Sequence, residues 1–362
     1  MSAVAERPVL IMAGGTGGHV FPGLALAEAL RQRDVPVVWL GSRSGLEARL
    51  VPERGIPIEW IEVSGVRGKG LVGLALAPLM LARALWQALA VLRRLQPRVA
   101  VGLGGFVSGP GGLVAALLRV PLLVHEQNAV AGWTNRLLAR YAQLVLEAFP
   151  GSFAAHLRPR VVGNPVRAAI AALPPPGERQ VGRRDGARLL VLGGSQGALA
   201  LNQTLPPALA LLPAERRPSV RHQAGERGLE SARQAYQRAG VAALVEPFIE
   251  DMAAAYAWAD LVVCRAGALT VSELAAAGVG SVLVPFPHAV DDHQTANARF
   301  LAEAGAALLV PQSELSPQRL AALLSELCAA PGRLAAMAEA ARSLARTDAA
   351  ERVAEEVIRH AR

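Results

Sequence analysis

Cysteine is scarce in this sequence: the 362 residues contain only two, Cys264 and Cys328. Two cysteines cannot build the disulfide framework of a small secreted domain, and neither lies in a C-x-x-C motif or a Cys/His cluster. A structural zinc site and a dithiol redox centre therefore lack their ligands, and this usage is typical of a reducing compartment. The short polar start leads into an apolar run that is too brief for a secretory signal, so we expect a cytoplasmic protein.

Aromatic residues make up only 4% of the chain, and lysine occurs once, as Lys69. No basic stretch alternates with Phe, Tyr or Trp, as a surface that stacks on nucleic-acid bases requires. Arginine still gives an excess of positive charge, with 37 basic against 29 acidic residues and a net charge of +8. This excess favours anionic partners such as phosphates or an acidic membrane surface, and we expect no nucleic acid among them.

Hydrophobic residues are abundant, at 52%, and their order predicts the fold class. Short runs rich in Val, Leu and Ile alternate with helical patterns, which predicts an α/β fold with doubly wound parallel sheets. The apolar runs lie at 9–13, 35–40, 57–63, 98–102, 121–125 and 188–192.

The length of the chain and one break in this pattern predict two domains. The pattern is lost in a Pro- and Gly-containing stretch at 173–186 and restarts at 188. We therefore expect a first Rossmann-like domain at 1–166 and a second at 167–344. The last stretch, at about 345–362, is amphipathic and able to pack back on the first domain or on the second, and the sequence does not say which.

Each predicted domain opens with a strand, a glycine turn and an apolar helix. The turns are Gly14-Gly15-Thr16-Gly17-Gly18 and Gly193-Gly194-Ser195-Gln196-Gly197. Glycine lets backbone N–H groups approach a phosphate, and the N-terminus of the following helix adds partial positive charge. Because ligands of such sheets bind beyond the carboxyl ends of the strands, we expect both turns to hold a pyrophosphate in a cleft between the domains.

The common nucleotide fingerprints are absent from both turns. Neither turn fits G-x-G-x-x-G, and the strand that ends near Ser42 offers no acidic residue for a ribose, which disfavours NAD. The only lysine lies in Gly68-Lys69-Gly70, which is not a Walker A loop, so a P-loop ATPase is excluded. No Asp-x-Asp motif occurs, so we expect no metal and no cofactor; backbone dipoles and arginine would neutralise the phosphates.

The second turn also matches G-x-S-x-G, the nucleophile elbow of serine hydrolases, with Ser195 as the nucleophile. Candidate triad partners downstream are Asp260, His288, Asp291 and His293. The sequence has no oxyanion loop of the HGGG type, and the motif opens a second domain instead of lying within one continuous sheet. A phosphate turn is therefore favoured, and the hydrolase is kept as an alternative.

Polar residues at two strand ends of the first half are candidates for catalysis. His19 follows the first glycine turn, and we expect it in the first turn of a helix, where an ordinary histidine can accept a proton near neutral pH. A lone histidine is more often a packing or hydrogen-bonding residue, so both interpretations stay open. His125-Glu126-Gln127-Asn128 follows a buried run, at the position where strand ends present ligand-contacting groups.

The second half carries two further polar clusters at predicted strand ends. The segment 264–273 reads as a strand end, a small-residue turn and a helix start, and we expect Glu273 in the first turn of that helix. Its carboxylate either stabilises the helix dipole or accepts both hydroxyls of a ribose. The second cluster spans 285–297 and includes His288 and His293.

The stretch 71–95 is long and apolar enough to raise the question of a membrane span. Arg83 near its centre and the break at Pro78 argue against spanning. A buried core helix is one interpretation, and an interfacial helix that rests an apolar face on an anionic membrane is the other. The flanking basic residues are Arg67, Lys69, Arg93 and Arg94.

Taken in order, these motifs resemble those of the MurG family, the N-acetylglucosaminyltransferases of glycosyltransferase family 28. The resemblance covers essentially the whole chain, with Ala266 standing where serine is often seen and 291–294 lying where relatives vary. It is carried by 14–23, 64–70, 104–110, 125–128, 163–167, 193–197, 265–273 and 291–297.

The resemblance implies a GT-B fold of two Rossmann-like domains that face each other across a deep cleft. It implies transfer of GlcNAc from UDP-GlcNAc to the C4 hydroxyl of MurNAc in undecaprenyl-diphospho-MurNAc-pentapeptide (lipid I), which gives lipid II for peptidoglycan synthesis. The α-linked donor becomes a β-linked product, so configuration inverts. The implied partners are the donor, the lipid-linked acceptor, other cell-wall synthesis proteins and an anionic membrane, with the protein peripheral on its cytoplasmic side.

The resemblance also implies the residues of the site. His19 is the candidate base and Glu126 the alternative, with Arg265 and His293 expected beside the donor. A serine hydrolase and a non-catalytic nucleotide-sugar sensor are the alternatives of other classes. The expected donor contacts are Thr16, Gly17, Gly18, Asn128, Arg167, Ser195, Ile249, Ala268, Leu269, Thr270, Val271, Ser272, Glu273 and Gln294.

Overall fold

The computed structural model describes residues 7–63, 70–179, 186–194 and 198–362. The chain divides into two compact units. The first unit comprises Met1–Arg167 and Asp348–Arg362, and the second comprises Ala168–Thr347. The chain therefore returns to its first unit at the end.

Each unit is built on one sheet, and all the pairings between described strands are parallel. The strands are β1 (Val9–Ala13), β2 (Val37–Gly41), β3 (Ile58–Trp60), β4 (Val99–Gly104), β5 (Leu122–Glu126), β6 (Leu144–Glu147), β7 (Arg160–Val161), β8 (Arg188–Leu192), β9 (Ser219–Gln223), β10 (Leu244–Glu246), β11 (Leu261–Cys264), β12 (Gly280–Leu283) and β13 (Ala307–Leu309). The order is β3-β2-β1-β4-β5-β6-β7 in the first sheet and β10-β9-β8-β11-β12-β13 in the second. In both sheets the order reverses beside the first strand, which is the doubly wound arrangement.

Helices connect these strands and confirm the predicted α/β class. They are α1 (Gly17–Arg31), α2 (Glu47–Leu50), α3 (Gly70–Leu95), α4 (Ser108–Leu117), α5 (Trp133–Leu138), α6 (Ala168–Ala171), α7 (Pro176–Arg179), α8 (Leu199–Ala210), α9 (Leu229–Ala239), α10 (Met252–Trp258), α11 (Ala268–Ala277), α12 (His293–Ala302), α13 (Pro317–Cys328), α14 (Pro331–Ser343) and α15 (Ala349–His360).

The central strands are buried on both faces, which explains why they read as continuous apolar runs. Every residue of β1 and β4 is buried. Along β1, Val9 and Ile11 belong to one core cluster, whereas Leu10 and Met12 belong to another. Because successive side chains of a strand point to opposite faces, these clusters are the cores on the two sides of the sheet.

The last helix, α15, completes one of these cores. Val353, Ala354 and Val357 are fully buried in the cluster that contains Val9 and Ile11, and α15 packs against α1. Burying each of the two valines stabilises the first unit by about 1.5–3 kcal/mol.

Helix α3 has one buried face and one exposed apolar face. Ala84, Ala88 and Val91 recur at helical spacing on the buried face, and Ala88 and Val91 belong to the core on the second side of the sheet. Leu79 and Trp86 are each 69% exposed. Within the described part of the chain, no single helix is long and apolar enough to cross a membrane, although α13 and α14, bent by 93°, pass that test as a pair.

The parallel sheet places the loops that follow β1, β4 and β5 side by side, since these strands are neighbours. The loops after β1 and β4 touch directly: a Cβ on Gly105 would lie inside contact distance of the Gly14 carbonyl. Gly105 also has φ +78°, a conformation that side chains disfavour. Only glycine fits there, and the contact holds the two loops together.

Candidate active site

The first glycine turn joins β1 to α1 and is tied to a buried carboxylate. Thr16 is the N-cap residue of α1, and Gly17 begins the helix. The N–H of Gly15 donates to Oε2 of Glu47 over 2.9 Å, and Glu47 is completely buried. A phosphate at this amide would have to displace that carboxylate. The expectation that both glycine turns offer their amides to the pyrophosphate is therefore wrong for Gly15.

Glu47 acts only as an acceptor in these contacts. Its Oε1 accepts hydrogen bonds from the backbone N–H of Ser42 over 3.0 Å and from the Ser42 hydroxyl over 2.7 Å. Both oxygens of the Glu47 carboxyl are therefore occupied by the turn and by Ser42, and Oε2 already holds the Gly15 N–H that a phosphate would need.

His19 lies in the first turn of α1, as predicted, and is partly buried. Its ring packs against Gly104, where a Cβ would lie 2.8 Å from Nδ1 of the ring. Nδ1 of His19 is 3.0 Å from Oε1 of Gln127, which follows β5. The residue at position 104 must therefore be small, and the ring has a fixed partner on the neighbouring loop.

Gln127 joins His19 to a second histidine, which is buried. Nε2 of Gln127 lies 3.1 Å from Nδ1 of His125 and donates to the His125 carbonyl oxygen over 3.2 Å. Nε2 of His125 is 2.8 Å from the carbonyl oxygen of Gly163. Burial lowers the pKa of His125, although the hydrogen bond to Gly163 and the charge of Glu126 oppose this shift.

Glu126, the alternative base, is fully used within its own loop. Its Oε1 accepts from the backbone N–H of Asn128 over 2.9 Å and from Asn128 Nδ2 over 3.0 Å. Its Oε2 accepts from the N–H of Gly132 over 3.0 Å and from Asn135 Nδ2 over 2.9 Å. The side chain is also buried. This geometry makes Glu126 the organiser of the 127–135 loop and leaves its oxygens little room for a substrate proton.

The other predicted residues of the first unit lie around this loop. Asn128 is held by Glu126, and Asn164 donates from Nδ2 to the Gln127 carbonyl oxygen over 3.0 Å. The Arg167 guanidinium carbon lies 5.7 Å from the ring centroid of Phe21 on α1. The predicted site residues that belong to the first unit are Thr16, Gly17, Gly18, His19, Glu126, Asn128 and Arg167.

In the second unit, the predicted donor residues 268–273 form the first part of α11. Gly267 is its N-cap residue, and no side chain caps this end. Thr270 and Ser272 are partly buried, and the Ser272 hydroxyl donates to the Ala268 carbonyl oxygen over 3.0 Å. The first N–H groups of a helix lack intrahelical partners, and together with the helix dipole they suit a phosphate.

Glu273 lies in the second turn of α11, because the helix begins at Ala268; the expectation of the first turn is wrong. The residue is only 4% exposed, and its Oε2 accepts a hydrogen bond from the Tyr256 hydroxyl over 3.2 Å. The effect of a helix dipole falls off within the first turn. A dipole role therefore fits this buried carboxylate less well than a role in binding polar ligand groups.

Arg265 follows β11, and its guanidinium is held by the protein. Its Nη1 donates to the carbonyl oxygens of Val284 and Pro285, each over 3.1 Å, and its Nη2 donates to Oε1 of Gln312 over 2.5 Å. The guanidinium carbon also lies 5.4 Å from the ring centroid of Phe286. These contacts make Arg265 a support for the loop after β12.

The remaining predicted residues differ in what they can offer a ligand. Gln294 accepts from the Phe286 N–H through its Oε1 over 2.9 Å, and His293 is the first residue of α12. The Ile249 side chain is fully buried, so a ligand at this position would contact the backbone of Ile249 and not its side chain. Ser195 lies outside the described residues. Among those described, no group of three His, Cys, Asp or Glu side chains is placed to hold a metal ion.

Both halves of the chain match family models. Residues 9–147 match the glycosyltransferase family 28 N-terminal domain, and residues 188–353 match the glycosyltransferase family 28 C-terminal domain. The chain belongs to glycosyltransferase family 28.

Curated members of family 28 match along the full length. A UDP-N-acetylglucosamine--N-acetylmuramyl-(pentapeptide) pyrophosphoryl-undecaprenol N-acetylglucosamine transferase of Alkalilimnicola ehrlichii is 61% identical, with 98% of this chain and 99% of the relative covered. A protein of the same name from Nitrosococcus oceani is also 61% identical, with coverages of 96% and 97%. These matches confirm the resemblance to the MurG family.

Solved structures match as well. MurG of Acinetobacter baumannii aligns with a TM-score of 0.84 and 43% identity over 98% of this chain and 99% of that one. A glycotransferase of kitacinnamycin aligns with a TM-score of 0.68 over 98% of this chain and 100% of that one; at 18% identity it bears on the fold alone. The GT-B class predicted for this family 28 enzyme is confirmed.

The structure of this family 28 enzyme adds residues that sequence reasoning did not assign to the site. Glu47 holds the first glycine turn, Tyr256 holds Glu273, and Gln312 holds Arg265. Their partners lie 32, 17 and 47 positions away in the chain, respectively. No local motif marks them. Gln127 belongs to the polar motif 125–128 that the sequence indicated, but the motif alone does not predict which of its residues contacts His19.

Proposed function

We propose that this protein transfers GlcNAc from UDP-GlcNAc to the C4 hydroxyl of MurNAc in lipid I and so forms lipid II in peptidoglycan synthesis. The observation that carries the proposal is the 61% sequence identity, over nearly the full length of the chain, to transferases named for this reaction. The first unit supplies a histidine suited to proton transfer, and the second unit supplies a helix N-terminus without a side-chain cap that suits a diphosphate.

The reaction is a single displacement at the anomeric carbon of GlcNAc. His19 accepts the proton of the acceptor hydroxyl as the hydroxyl oxygen forms its bond to that carbon. The bond between the anomeric carbon and the UDP oxygen breaks on the opposite face, so configuration inverts. Negative charge then grows on the departing diphosphate, where the N-terminus of α11 offers N–H donors and partial positive charge.

His19 is favoured over Glu126 as the base because of what surrounds each group. Both oxygens of Glu126 already accept hydrogen bonds from the 128–135 segment. His19 is partly exposed and is held through Nδ1. The other ring nitrogen, Nε2, is the natural position for accepting a substrate proton.

Donor binding is assigned mainly to the second unit. The phosphates would meet the start of α11, and the Glu273 carboxylate, held by Tyr256, would accept the ribose hydroxyls. Arg265 and Gln294 would act by shaping the neighbouring loop, because both bind its backbone. The hydrogen bond that the Gly15 N–H already makes to Glu47 supports a diphosphate position that does not use this amide.

A lipid-linked acceptor stays in the bilayer, so the enzyme has to reach a membrane surface. The exposed face of α3 is suited to this contact: it carries Leu79 and Trp86 beside Arg83 and Arg93, at helical spacing along one side of the helix. We infer peripheral association with the cytoplasmic side of an anionic membrane through this face, aided by Arg67 and Lys69, which lie outside the described residues. Other cell-wall synthesis proteins remain proposed partners.

Product formation tests the proposed function directly. Purified protein is incubated with radiolabelled UDP-GlcNAc and a lipid I analogue, and label in the lipid product is measured with and without the acceptor. We expect label transfer that depends on the acceptor and needs no added metal. A nucleotide-sugar sensor would bind the donor without forming product, and a serine hydrolase would cleave an ester substrate in a way that Ser195→Ala abolishes. Either result would overturn the proposal.

A further inference from the structure

Four groups in the first unit form a continuous hydrogen-bonded chain. It runs from the Gly163 carbonyl oxygen to Nε2 of His125, from Nδ1 of His125 to Nε2 of Gln127, and from Oε1 of Gln127 to Nδ1 of His19. The three distances are 2.8, 3.1 and 3.0 Å. Each link needs one donor and one acceptor, so the proton positions along the chain depend on one another.

The carbonyl oxygen of Gly163 fixes the first proton. A carbonyl oxygen only accepts, so Nε2 of His125 carries a hydrogen and donates it. His125 is fully buried, and burial disfavours its charged form. In the neutral ring, Nδ1 of His125 therefore has a lone pair and can only accept.

Two acceptors on His125 then fix the orientation of the Gln127 amide. Its Nε2 has two hydrogens and faces both Nδ1 and the carbonyl oxygen of His125, at 3.1 and 3.2 Å. A flipped amide would place Oε1 against these two acceptors, which is repulsive. The amide oxygen of Gln127 must therefore face His19.

The last link sets the state of His19. Since Oε1 of Gln127 only accepts, Nδ1 of His19 must donate to it, and in the neutral ring Nε2 is left with the lone pair. We propose that Gln127, oriented by His125 and Gly163, is a positioning residue that holds His19 in its Nδ1-protonated tautomer and so presents Nε2 as the proton acceptor. This inference rests on the proposed function, in which His19 accepts the proton of the acceptor hydroxyl.

Nitrogen-15 NMR of the imidazole rings tests this tautomer without any turnover. The seven histidines are labelled in the full-length protein and assigned by single His→Gln variants, and spectra are recorded near pH 8.5, where ordinary histidines are neutral. We expect the proton of His19 on Nδ1 and that of His125 on Nε2. A His19 signal with its proton on Nε2 in the wild type overturns the proposal, whatever the activity is.

A variant series tests the effect on the reaction. Gln127→Met keeps the length of the side chain but removes its three hydrogen bonds, two to His125 and one to His19, and we expect His19 to lose its Nδ1–H preference. The kcat should fall by about ten- to a hundredfold, less than on loss of the base itself, with an unchanged KM for UDP-GlcNAc. Asn135→Leu is the matched control, since Asn135 is also a buried amide that donates to the His125 carbonyl oxygen but lies outside the chain of four groups.

The two readouts separate the possible failures. If Gln127→Met shifts the His19 tautomer and leaves kcat unchanged, the positioning role is wrong. If Asn135→Leu shifts the tautomer as much as Gln127→Met does, general loosening of the loop explains both, and the proposal falls. If the wild type shows the expected tautomers but makes no lipid product, the proposed function fails while the chain of hydrogen bonds stands.

Discussion

At the scale of single residues, existing hydrogen bonds decide which groups can accept a proton from a substrate. An oxygen or nitrogen that the protein already uses as an acceptor is a poor candidate. Glu126 and Glu47 are both buried carboxylates, and in each of them both oxygens already accept hydrogen bonds from backbone N–H groups of the protein. His19 is partly exposed and is held through Nδ1, and in the proposed mechanism its Nε2 accepts the substrate proton. Buried polar groups of this kind need their partners, so their hydrogen bonds are structural.

Replacement of His19 by alanine should therefore affect the chemical step. We expect turnover to fall by about two to four orders of magnitude, the usual contribution of a general base, with little change in UDP-GlcNAc affinity. Steady-state kinetics and calorimetry with the donor check this, and His156→Ala, at an exposed histidine of the same unit, serves as the control. Equal losses in donor affinity and rate would instead give His19 a binding role.

Glu273→Ala should mainly weaken nucleotide binding, in contrast to His19→Ala, which should mainly lower turnover. Loss of a carboxylate that accepts ribose hydroxyls removes charge-assisted hydrogen bonds, so the Kd for UDP should rise by about tenfold or more. The measurement is titration calorimetry with UDP, with Glu303→Ala as a control at an exposed carboxylate of the same unit. An unchanged Kd would exclude the ribose assignment and return Glu273 to a structural role beside Tyr256.

The sequence could predict only part of this site, and the reason is the range of the contacts. The helix positions of His19 and of 268–273 follow from local strand-turn-helix patterns. The partners Glu47 and Tyr256 come from distant segments that only the folded sheet brings close. The hydrogen bond from Gly15 to Glu47 shows the consequence, because the glycine pattern alone predicted an anion site at that amide.

At the scale of elements, α8, β9 and α9 are joined by a buried polar network around His222. Nδ1 of His222 lies 2.9 Å from the Tyr236 hydroxyl, and Nε2 lies 3.0 Å from Oδ1 of Asn202. Nδ2 of Asn202 donates to the Ala224 carbonyl oxygen over 3.0 Å, so Oδ1 is the acceptor of His222. The ring is therefore neutral and fully partnered, and burial lowers the pKa of His222 to about 4.

This network should make the second unit sensitive to acid. Between about pH 6.5 and pH 4 the unfolded chain binds a proton at His222 and the folded unit does not, so stability is complete above pH 6.5 and declines as pH falls toward 4. The loss amounts to about 3 kcal/mol. The free energy of unfolding of the second unit is followed by amide hydrogen exchange in β9, recorded as a function of urea concentration at several pH values.

His222→Gln should lower stability at neutral pH but flatten this pH dependence. His156→Gln, at an exposed histidine, should retain it. An equal slope in the wild type and His222→Gln would assign the acid sensitivity to other groups.

Element boundaries followed the sequence most closely where strands are buried on both faces. The predicted runs 9–13 and 188–192 coincide with β1 and β8. The predicted run 57–63 is shortened to Ile58–Trp60, an edge strand with one neighbour, because pairing along a single edge ends sooner than pairing in the middle of a sheet. The strand β7 is only two residues long, Arg160–Val161, and contains no apolar run from which it could be predicted.

At the scale of the whole molecule, we predict that association with anionic membranes depends on the exposed face of α3. Trp86→Ser and Leu79→Ser should each weaken binding to vesicles that contain anionic lipid, by about tenfold, because each removes a large apolar side chain from the contact. Leu211→Ser is the control, at an exposed leucine of the second unit. Sedimentation with anionic and neutral vesicles measures the effect. Equal binding to both vesicle types, or no change on charge reversal at Arg67 and Lys69, would exclude this surface.

The position of α15 has a consequence for how this chain is made. Val353 and Val357 fill a core whose other members begin at Val9, so during synthesis this core is completed only after α15 has left the ribosome. The intervening 168–347 unit contains its own core and can close first. Until α15 emerges, the apolar face of α1 that it covers lacks its partner, and exposed apolar surface of this kind is prone to aggregation.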